Sequence, residues 1–401
     1  MKIAILGYGT VGSGLIDLIE NNTSKRDIEV VGILVKNKEK HKYKKYFDKI
    51  TTDIEDIFDK DIDILVEVIG GLNPAFDYVT RALNKKIHVV TANKDLLAEK
   101  GSDLIELANL NNVSIKFEAS VAGGIPVLKP LIESLEGNNI KSINAILNGT
   151  CNFILSKMYD ENLPYDVALK QAQELGFAEV NPDADVLGYD SARKLSILST
   201  LSYGKIVYWK DLLLEGITSI DEKDIEYAKK LNCKIKLVAR SKYESGEVSG
   251  FIRPALVDNN NMLSKIDNEF NVVILVGDSV GELSFVGKGA GRGATGSAVY
   301  ADIIDIIDNR SSNIKSFSKG KLDLSGLIED KCSAVVRFGG YNNKDGILEC
   351  LDKYVDSYDI IDDEELAIFV SAKSEHEIDR VLEIVKRNNY SESVKKLLKI
   401  D

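Results

Sequence analysis

Apolar runs and helix-like stretches alternate along the first part of the chain. Five short runs rich in β-branched residues predict strands: Lys2–Leu6, Val30–Val35, Ile64–Ile69, His88–Val90 and Ser114–Phe117. Three stretches between them, with apolar residues at helical spacing, predict helices: Val11–Ile19, Ala75–Asn84 and Ser102–Asn111. This alternation predicts βαβ units and a parallel sheet, and the lack of polar alternation within the runs indicates a sheet that is covered on both faces.

Further along, longer helices mix with strands. Ile140–Leu147 and Val272–Val276 predict strands, and three segments predict helices: Tyr165–Leu175, Ser191–Tyr203 and, after a glycine-rich loop at 287–296, Gly296–Ile307. The polar stretch 308–330 is predicted to be a linker. Beyond it, two strands (Ala334–Phe338 and Ala367–Ala372) and two helices (Asp345–Tyr354 and Glu375–Asn388) predict a small α+β module.

Composition narrows the function. The 401-residue chain has 51 basic and 63 acidic residues, a net charge of −12, which argues against nucleic acid or an anionic membrane as its main partner. Its first residues do not have the pattern of a secretory signal peptide. No apolar stretch reaches the about 18 residues that a membrane-spanning helix needs. Four cysteines without CxxC spacing are too sparse for a disulfide scaffold, so we expect a cytoplasmic protein with reduced thiols. The three histidines share no motif, so another side chain should move any protons.

A glycine-rich loop directly follows the first predicted strand. It reads Gly7-Tyr8-Gly9-Thr10-Val11-Gly12, the GxGxxG pattern, and it opens a predicted helix. Gly7 permits the tight turn, Gly9 lets the backbone approach a pyrophosphate, and Gly12 lets the helix and strand pack closely. The free N–H groups at the helix start then face the phosphates. In a chain with βαβ rhythm this predicts a Rossmann dinucleotide-binding domain, against the alternative of an ordinary strand–helix turn.

The end of the second predicted strand bears on the cofactor. NAD-binding folds tend to have an acidic residue there that holds the ribose 2′-hydroxyl. This chain has Lys36 instead, followed by a run of lysines. A lysine stabilises a 2′-phosphate, so we expect NADP as the cofactor, leave NAD open, and predict Lys36 as the contact. Most of the later lysines fit better as a solvated basic loop.

Carboxylates and a lysine cluster in the segment from Ala172 to Lys194. Four of its acids, Glu179, Asp183, Asp185 and Asp190, lie within twelve residues of loop and helix start, and a new helix is predicted to begin near the last of them. Asp190 and Lys194 are four residues apart, so they share one helix face. Asp190 as a helix cap, or the two as a surface ion pair, are the simpler interpretations. The functional interpretation is a polar pocket in which the lysine transfers a proton and carboxylates hold a substrate ammonium group.

This segment resembles the signature of the homoserine dehydrogenases. The matching positions are Ala172, Gly176, Phe177, Ala178, Asn181, Pro182, Asp185, Val186, Gly188, Asp190 and Lys194, and the resemblance extends over roughly residues 1–310. It implies three parts: a Rossmann domain at 1–130 rejoined by 296–310, a mixed α/β substrate-binding and dimerisation domain at 131–295, and the α+β domain at 331–401. It also implies interconversion of L-homoserine and L-aspartate 4-semialdehyde with NAD(P), in threonine, methionine and isoleucine biosynthesis.

The resemblance implies roles for individual residues. Lys194 exchanges the proton, Asp190 orients the substrate or Lys194, Glu179 and Asp185 bind homoserine, and Lys94 lies beside the nicotinamide and the substrate. The implied cofactor contacts are Gly7, Gly9, Thr10, Val11, Gly12, Gly70, Lys94 and Gly291. The family also holds a sodium ion through backbone oxygens, which match Glu118, Val121, Gly123 and Ile125. Three residues depart from the usual pattern: Cys151 replaces Thr, and Arg292 and Ala294 replace Gly and Pro.

Two other functions stay open at this stage. Cys151 could serve as the thiolate of an NADP-dependent aldehyde dehydrogenase, although that chemistry needs a base and no histidine is near in sequence. The chain could also be a non-catalytic NADP-binding sensor of amino acids. A sensor has no need of a proton-transfer group, so the acids and Lys194 argue against it.

The C-terminal residues resemble a divergent ACT module, a small domain that often senses amino acids. The likeness is carried by the turn and helix start at Asn343–Leu348. It implies an amino-acid effector such as threonine, and the alternative is a module used only for packing or dimerisation. The family resemblance also implies a homodimer or a larger homo-oligomer.

Overall fold

The computed structural model describes residues 1–21, 25–310, 324–325 and 331–400. The strands are β1 (Lys2–Leu6), β2 (Glu29–Leu34), β3 (Ile50–Thr51), β4 (Ile64–Glu67), β5 (His88–Thr91), β6 (Ile115–Lys116), β7 (Ile140–Ile146), β8 (Leu213–Leu214), β9 (Cys233–Glu244), β10 (Glu247–Asp258), β11 (Phe270–Gly277), β12 (Gly281–Lys288), β13 (Leu324–Ser325), β14 (Cys332–Gly339), β15 (Ser357–Asp362), β16 (Ala367–Ala372) and β17 (Ser393–Ile400). The helices are α1 (Thr10–Asn21), α2 (Glu55–Phe58), α3 (Ala75–Asn84), α4 (Lys94–Asn111), α5 (Gly149–Glu161), α6 (Tyr165–Glu174), α7 (Asp183–Val186), α8 (Tyr189–Tyr203), α9 (Glu222–Lys230), α10 (Arg292–Ile307), α11 (Lys344–Tyr354) and α12 (Glu375–Arg387).

Contacts divide the chain into two compact units. The first comprises Met1–Ile143, Arg193–Trp209 and Asn271–Leu322, and the second comprises Asn144–Ala192, Lys210–Phe270 and Asp323–Asp401. The three-part division expected from the sequence stays a prediction. No helix in the described part of the chain is both long enough and apolar enough to cross a membrane.

The first unit contains a six-stranded parallel sheet. Its strand order is β3-β2-β1-β4-β5-β6, with β1 in the interior between β2 and β4. Helices α1 and α10 pack on one face, where Leu15 and Ile303 join Ile3 and Ile5 in one buried cluster. The two helices can approach closely because Gly14 has no side chain. A Cβ on Gly14 would stand only 2.0 Å from the carbonyl oxygen of Arg292. The predicted Rossmann fold is confirmed.

The helices and strands predicted for this unit are present, but several of them begin or end at other residues. β1 and α3 have the predicted bounds, whereas α4 begins at Lys94 rather than Ser102. The earlier start follows from Asn93, whose side chain caps the helix by accepting a hydrogen bond from Leu96 N at 3.1 Å. Helix α10 begins at Arg292, inside the stretch predicted as a loop.

The second unit has a sheet that the sequence pattern did not predict in full. The long hairpin of β9 and β10 pairs from Glu247 with Glu244 to Asp258 with Cys233. Neither strand was predicted, and nor was α5, which Asn148 caps through Cys151 N. The order continues from β9 and β10 to β17, β14, β16 and β15. Strand β13 pairs with β10 inside the predicted linker, so the linker prediction is wrong at Leu324–Ser325; its residues 311–323 and 326–330 lie outside the described part.

The C-terminal module has the β14-α11-β15-β16-α12-β17 order. Its strands are antiparallel in the spatial order β17-β14-β16-β15, which is the ferredoxin-like arrangement of two split βαβ units. The core of the module is formed by buried residues such as Phe338, Ile347, Ile368 and Val381. The predicted α+β character is therefore present.

Candidate active site

The phosphate loop occupies the turn from β1 into α1. Gly7 has φ of +109°, and a Cβ there would stand 2.8 Å from the carbonyl oxygen of Val68. A Cβ on Gly12 would stand 2.3 Å from the carbonyl oxygen of Gly7. Both positions therefore need glycine because backbone atoms pack directly against them. Thr10 and Val11 open helix α1, as the sequence predicts.

A second set of glycines borders open space. Among the described residues, no neighbouring atom lies within 4 Å of the position that a Cβ would take at Gly9, Gly70 or Gly291. Each is a predicted cofactor contact. The open backbone at Gly9, beside the N-terminus of α1, leaves room for a pyrophosphate group and thus fits a dinucleotide.

A buried carboxylate connects two loops at the carboxyl ends of β4 and β5. Glu67 is fully buried, and its carboxylate accepts hydrogen bonds from Ile69 N at 2.9 Å, Gly70 N at 3.2 Å and Thr91 Oγ1 at 2.6 Å. Burial raises the pKa of Glu67, and these hydrogen bonds oppose that shift. Glu67 thereby holds the predicted cofactor loop at Gly70 against the segment that precedes Lys94.

Lys94 is the first residue of α4 and is half-buried. The preceding Asn93 also donates from Nδ2 to the carbonyl oxygen of Gly71 at 2.7 Å, which fixes the start of the helix. The next residue, Asp95, forms an ion pair with Arg193, whose Nε lies 3.0 Å from Asp95 Oδ1. The first turn of α4 is therefore linked to α8, which carries Lys194.

The second unit holds a pair of carboxylates. Asn148 Nδ2 donates to Asp185 Oδ1 at 2.6 Å and to Asp190 Oδ2 at 2.9 Å. Asp190 is buried, in the first turn of α8, and Asp185 is half-buried in α7. Lys194 lies one turn after Asp190 on α8, so both side chains project from one side of the helix. Asp185 and Asp190 thus share one amide group, and their role in a polar pocket stays a prediction.

The loop that carries these acids is tightly packed. Gly188 has φ of +85°, and a Cβ there would stand 2.8 Å from Leu214 Cδ1; a Cβ on Gly216 would stand 2.3 Å from the carbonyl oxygen of Val186. Glu179 differs from the two aspartates because its side chain is exposed. The hydrogen bond that the structure gives Glu179 is accepted by its backbone carbonyl, from Gln173 Nε2 at 3.1 Å.

The basic loop after β2 has two kinds of lysine. Lys36 is exposed at the end of β2, where a 2′-phosphate contact was predicted. Lys44 instead donates from Nζ to the carbonyl oxygen of Tyr8 at 2.7 Å and to Ser13 Oγ at 3.0 Å. Partial burial and then the charge of Arg292 lower the pKa of Lys44. Lys44 therefore contacts the phosphate loop, although the residue as a whole stays exposed.

Arg292 has a structural partner in α1. Its Nε donates to Asp17 Oδ2 at 2.8 Å and its Nη2 to Asp17 Oδ1 at 2.9 Å. This departure from the usual family residue thus links the late glycine loop to α1.

The predicted sodium loop is held by a buried acid. The Glu118 carboxylate accepts from the backbone N–H groups of Val127 at 2.7 Å, Leu128 at 2.8 Å and Lys129 at 2.7 Å. Burial raises the pKa of Glu118, and these three bonds oppose that shift. The Glu118 backbone N–H donates to Asp302 Oδ2 at 2.9 Å.

The turn beyond Glu118 contains two residues with a left-handed backbone. Ala122 and Gly123 have left-handed φ values of 55° and 54°, and Gly124 N donates to the carbonyl oxygen of Lys288 at 3.2 Å. No group of three or more His, Cys, Asp or Glu that could hold a metal occurs in the described residues. Carbonyl oxygens at Glu118, Val121, Gly123 and Ile125 are hard donors, which is the chemistry that an alkali or alkaline-earth cation takes.

Cys151 is fully buried at the start of α5. Its Sγ donates to the carbonyl oxygen of Asp185 at 3.2 Å. The histidines have other surroundings: His41 stacks on Tyr8, His88 Nδ1 accepts from Ser114 N at 3.0 Å, and His376 is exposed. A thiol that donates to a carbonyl is a small packing residue, so this geometry does not favour a cysteine nucleophile.

Four residues at these sites had no predicted role: Glu67, Asn93, Asn148 and Arg193. Asn148 directly follows the predicted strand Ile140–Leu147, and a polar residue at the end of a predicted strand is a usable signal. Arg193 carries no local signal, because its partner Asp95 is remote in the sequence.

Two models of one protein family match successive ranges of the sequence. Residues 7–118 match "Homoserine dehydrogenase, NAD binding domain", and residues 126–304 match "Homoserine dehydrogenase". The homoserine dehydrogenase of Bacillus subtilis (strain 168) is 40% identical over 317 residues, which span 77% of this chain and 73% of the relative.

Solved structures of homoserine dehydrogenases are similar to this chain in fold. A crystal structure of a homoserine dehydrogenase from Thiobacillus denitrificans has a TM-score of 0.92 at 30% identity, covering 100% of this chain and 98% of that one. A hyperthermophilic archaeal homoserine dehydrogenase in complex with NADPH has a TM-score of 0.67 at 28% identity, covering 78% of this chain and 99% of that one.

Proposed function

Because the chain belongs to the homoserine dehydrogenase family and is an NAD(P)-dependent oxidoreductase acting on a CH–OH group, we propose that Lys194, Asp190 and Lys94 carry its chemistry. The observation that supports this most directly is the Asp185–Asp190 pair, held by one amide a helical turn before Lys194. A lysine beside ordered carboxylates can exchange a proton without histidine.

The reaction interconverts L-homoserine and L-aspartate 4-semialdehyde. The nicotinamide dinucleotide accepts or supplies the hydride. Lys194 gives the aldehyde oxygen its proton in the reducing direction and receives the alcohol proton in the reverse direction. Asp190 orients Lys194 or the substrate, and Lys94 stabilises the oxygen charge. Asp185 and Glu179 bind the polar ends of homoserine, since carboxylates attract its ammonium group.

Replacing Lys194 by Ala tests the assignment. We expect turnover of homoserine to fall by roughly a hundredfold or more, since a positioned proton-transfer group contributes about 10²- to 10⁴-fold. Cofactor binding, followed by NADPH fluorescence, should stay near that of the parent. Near-normal turnover in an absorbance assay with homoserine would overturn the role of Lys194.

A cysteine variant is the control. Cys151→Ser should retain turnover because a serine hydroxyl can donate to the Asp185 carbonyl as the thiol does. If Cys151→Ser folds but loses turnover, the result would instead support the alternative hypothesis of an aldehyde dehydrogenase with Cys151 as its nucleophile.

The preferred cofactor in this proposal is NADP. Lys36 at the strand end and the nearby lysines favour a 2′-phosphate, and NADPH is the cofactor of the archaeal structural relative. Gly7, Gly9, Thr10, Val11, Gly12, Gly70, Lys94 and Gly291 are the other proposed contacts. Assays with NADP and NAD decide the preference, and Lys36→Glu should lower kcat/KM for NADP selectively.

The backbone oxygens of Glu118, Val121, Gly123 and Ile125 are proposed to hold a sodium ion. The support is the hard-donor chemistry of this loop and its firm anchoring through Glu118. Thermal stability measured with NaCl against choline chloride at equal ionic strength tests it, because a bound ion stabilises the folded state.

The wider assignments rest on the family. We propose that the enzyme serves threonine, methionine and isoleucine biosynthesis in the cytoplasm, where its free cysteines stay reduced. A homodimer or larger homo-oligomer is proposed on the family resemblance. Light scattering measures the assembly.

The C-terminal module is proposed to be ACT-like and to bind an amino-acid effector such as threonine. Its support is the split βαβ topology. Threonine titration of the full-length enzyme tests the effector. Removing the module is an unsuitable test because Arg253 in β10 would lose the Glu375 carboxylate that pairs with it.

A further inference from the structure

Asn148 makes hydrogen bonds with every polar group of its side chain. Its Oδ1 accepts from Cys151 N at 2.8 Å, and its Nδ2 donates to Asp185 at 2.6 Å and Asp190 at 2.9 Å. The orientation of the amide follows from this network, because carboxylates only accept and a backbone N–H only donates. The residue is 5% exposed, so these partners replace water almost completely.

Two carboxylates thus share one amide nitrogen. Asp185 and Asp190 come from different helices, α7 and α8, and each takes one of the two N–H hydrogens. Two carboxylates that share one amide nitrogen repel each other when both are ionised, and burial strengthens this repulsion. The amide offsets it with two charge-assisted bonds and also sets the spacing of the carboxylates.

We infer that Asn148 is a positioning residue of the reaction: it holds the Asp185–Asp190 pair in the arrangement that Lys194 and the substrate meet. This inference rests on the proposed roles of Asp190 and Lys194. The amide nitrogen of Asn148 donates to the two aspartates, so Asn148 acts through them. Its helix-cap bond alone does not require asparagine, since aspartate or serine caps a helix about equally well.

The decisive variant is Asn148→Asp. Aspartate keeps the acceptor for Cys151 N but removes both donors and adds a third negative charge. We expect kcat for homoserine to fall roughly tenfold or more, because bonds to charged groups are lost. The added charge favours protonated Lys194, so the pH profile of kcat should shift to higher pH. NADPH affinity should stay within about twofold of the parent, the change that a loss of about 0.4 kcal/mol produces.

A second variant and a matched control complete the test. Asn148→Ser keeps the cap and adds no charge, so it should lower kcat without the alkaline shift. Asn343→Asp changes another asparagine cap, which accepts from Gly346 N at 3.0 Å at the start of α11, and it should alter neither quantity.

Three outcomes would contradict either the role of Asn148 or the proposed function. Parent-like kcat and pH profile in Asn148→Asp, while Lys194→Ala is inactive, overturn the role of Asn148 and leave the proposed function intact. If kcat, thermal stability and NADPH affinity fall together without an alkaline shift, Asn148 is only a structural cap and the inference is also wrong. Activity in Lys194→Ala would instead contradict the proposed function itself.

Discussion

At the scale of single residues, buried charges in both units are matched by hydrogen bonds. Glu67 accepts three in the first unit. In the second unit, Lys236 is 1% exposed, and its Nζ donates to Asn152 Oδ1 at 3.0 Å, the Ile266 carbonyl at 2.5 Å and Asp267 Oδ1 at 3.0 Å. Buried charges persist only with such partners, so each marks a position where the fold depends on a polar network.

Lys236 predicts a pH dependence of stability. Burial lowers its pKa from 10.5 to about 8, despite the opposing charge of Asp267. Between these values the unfolded chain binds more protons than the folded one, so stability rises as the pH rises from about 8 to 10.5 and falls in the reverse direction. The rise amounts to about 3 kcal/mol.

Substituting Lys236 by Met should flatten this rise, which urea denaturation between neutral and alkaline pH would measure. Lys234→Met is the control: Lys234 also pairs with Asp267, at 2.8 Å, and this variant keeps Lys236 in place. The same alkaline rise in Lys236→Met as in the parent would show that another group causes it.

At the scale of elements, helices α4 and α8 present the two lysines of the proposed mechanism. Arg193 links them: besides its ion pair with Asp95, its guanidinium lies 4.4 Å from the centre of the Trp209 ring. Trp209 Nε1 in turn donates to Glu99 Oε1 in α4 at 2.9 Å. A cation–π contact together with an ion pair suits arginine better than lysine, so these contacts should hold the start of α4 beside the part of α8 that carries Arg193 and Lys194.

Arg193→Lys should therefore lower kcat by roughly threefold to tenfold, with little change in NADPH affinity. A double-mutant cycle with Asp95→Asn should give a coupling energy of about 0.5–1 kcal/mol in stability. Removing the exposed Lys157–Glu161 pair of α5, 2.5 Å apart, is the matched control and should leave kcat unchanged. Additive effects of the two substitutions would show that the ion pair does not couple the helices.

At the scale of the whole molecule, the C-terminal module belongs to the second compact unit. Arg253 of β10 forms a bidentate pair with Glu375 at the start of α12, with distances of 2.7 and 2.8 Å, and both side chains are buried. Burial opposes ionisation, but Arg253 and Lys396 hold the pKa of Glu375 below its usual range. The module and β10 are thus connected by a buried ion pair, and removing either charged side chain should destabilise the folded protein.

Glu375→Ala should lower the free energy of unfolding by about 3–5 kcal/mol, because it leaves Arg253 buried and unpaired. Chemical denaturation followed by circular dichroism measures this. Glu383→Ala, at an exposed position on the same helix, is expected to change stability by less than about 0.5 kcal/mol. An equal effect of the two substitutions would mean that the buried pair contributes little.

The sequence by itself determined the elements whose signals are local. The phosphate loop, five of the six strands of the parallel sheet and the spacing of Asp190 and Lys194 follow from periodicity, turn chemistry and helix geometry over a few residues. The two C-terminal helices and the strands β14 and β16 were predicted for the same reason, whereas β15 and β17 were not predicted. The long β9–β10 hairpin escaped because charged residues such as Lys236 and Arg253 interrupt its apolar pattern and are neutralised only by distant partners.

Only the tertiary structure decided which polar groups meet. Asn148 reaches Asp185 and Asp190 across 37 and 42 residues, and Glu67 reaches Thr91 across 24. No periodic pattern encodes such pairs, because they depend on which loops the packing of helices and strands brings to the same place. The sequence thus specified the chemical groups of the proposed site, whereas the packing of the chain set the contacts that hold them in position.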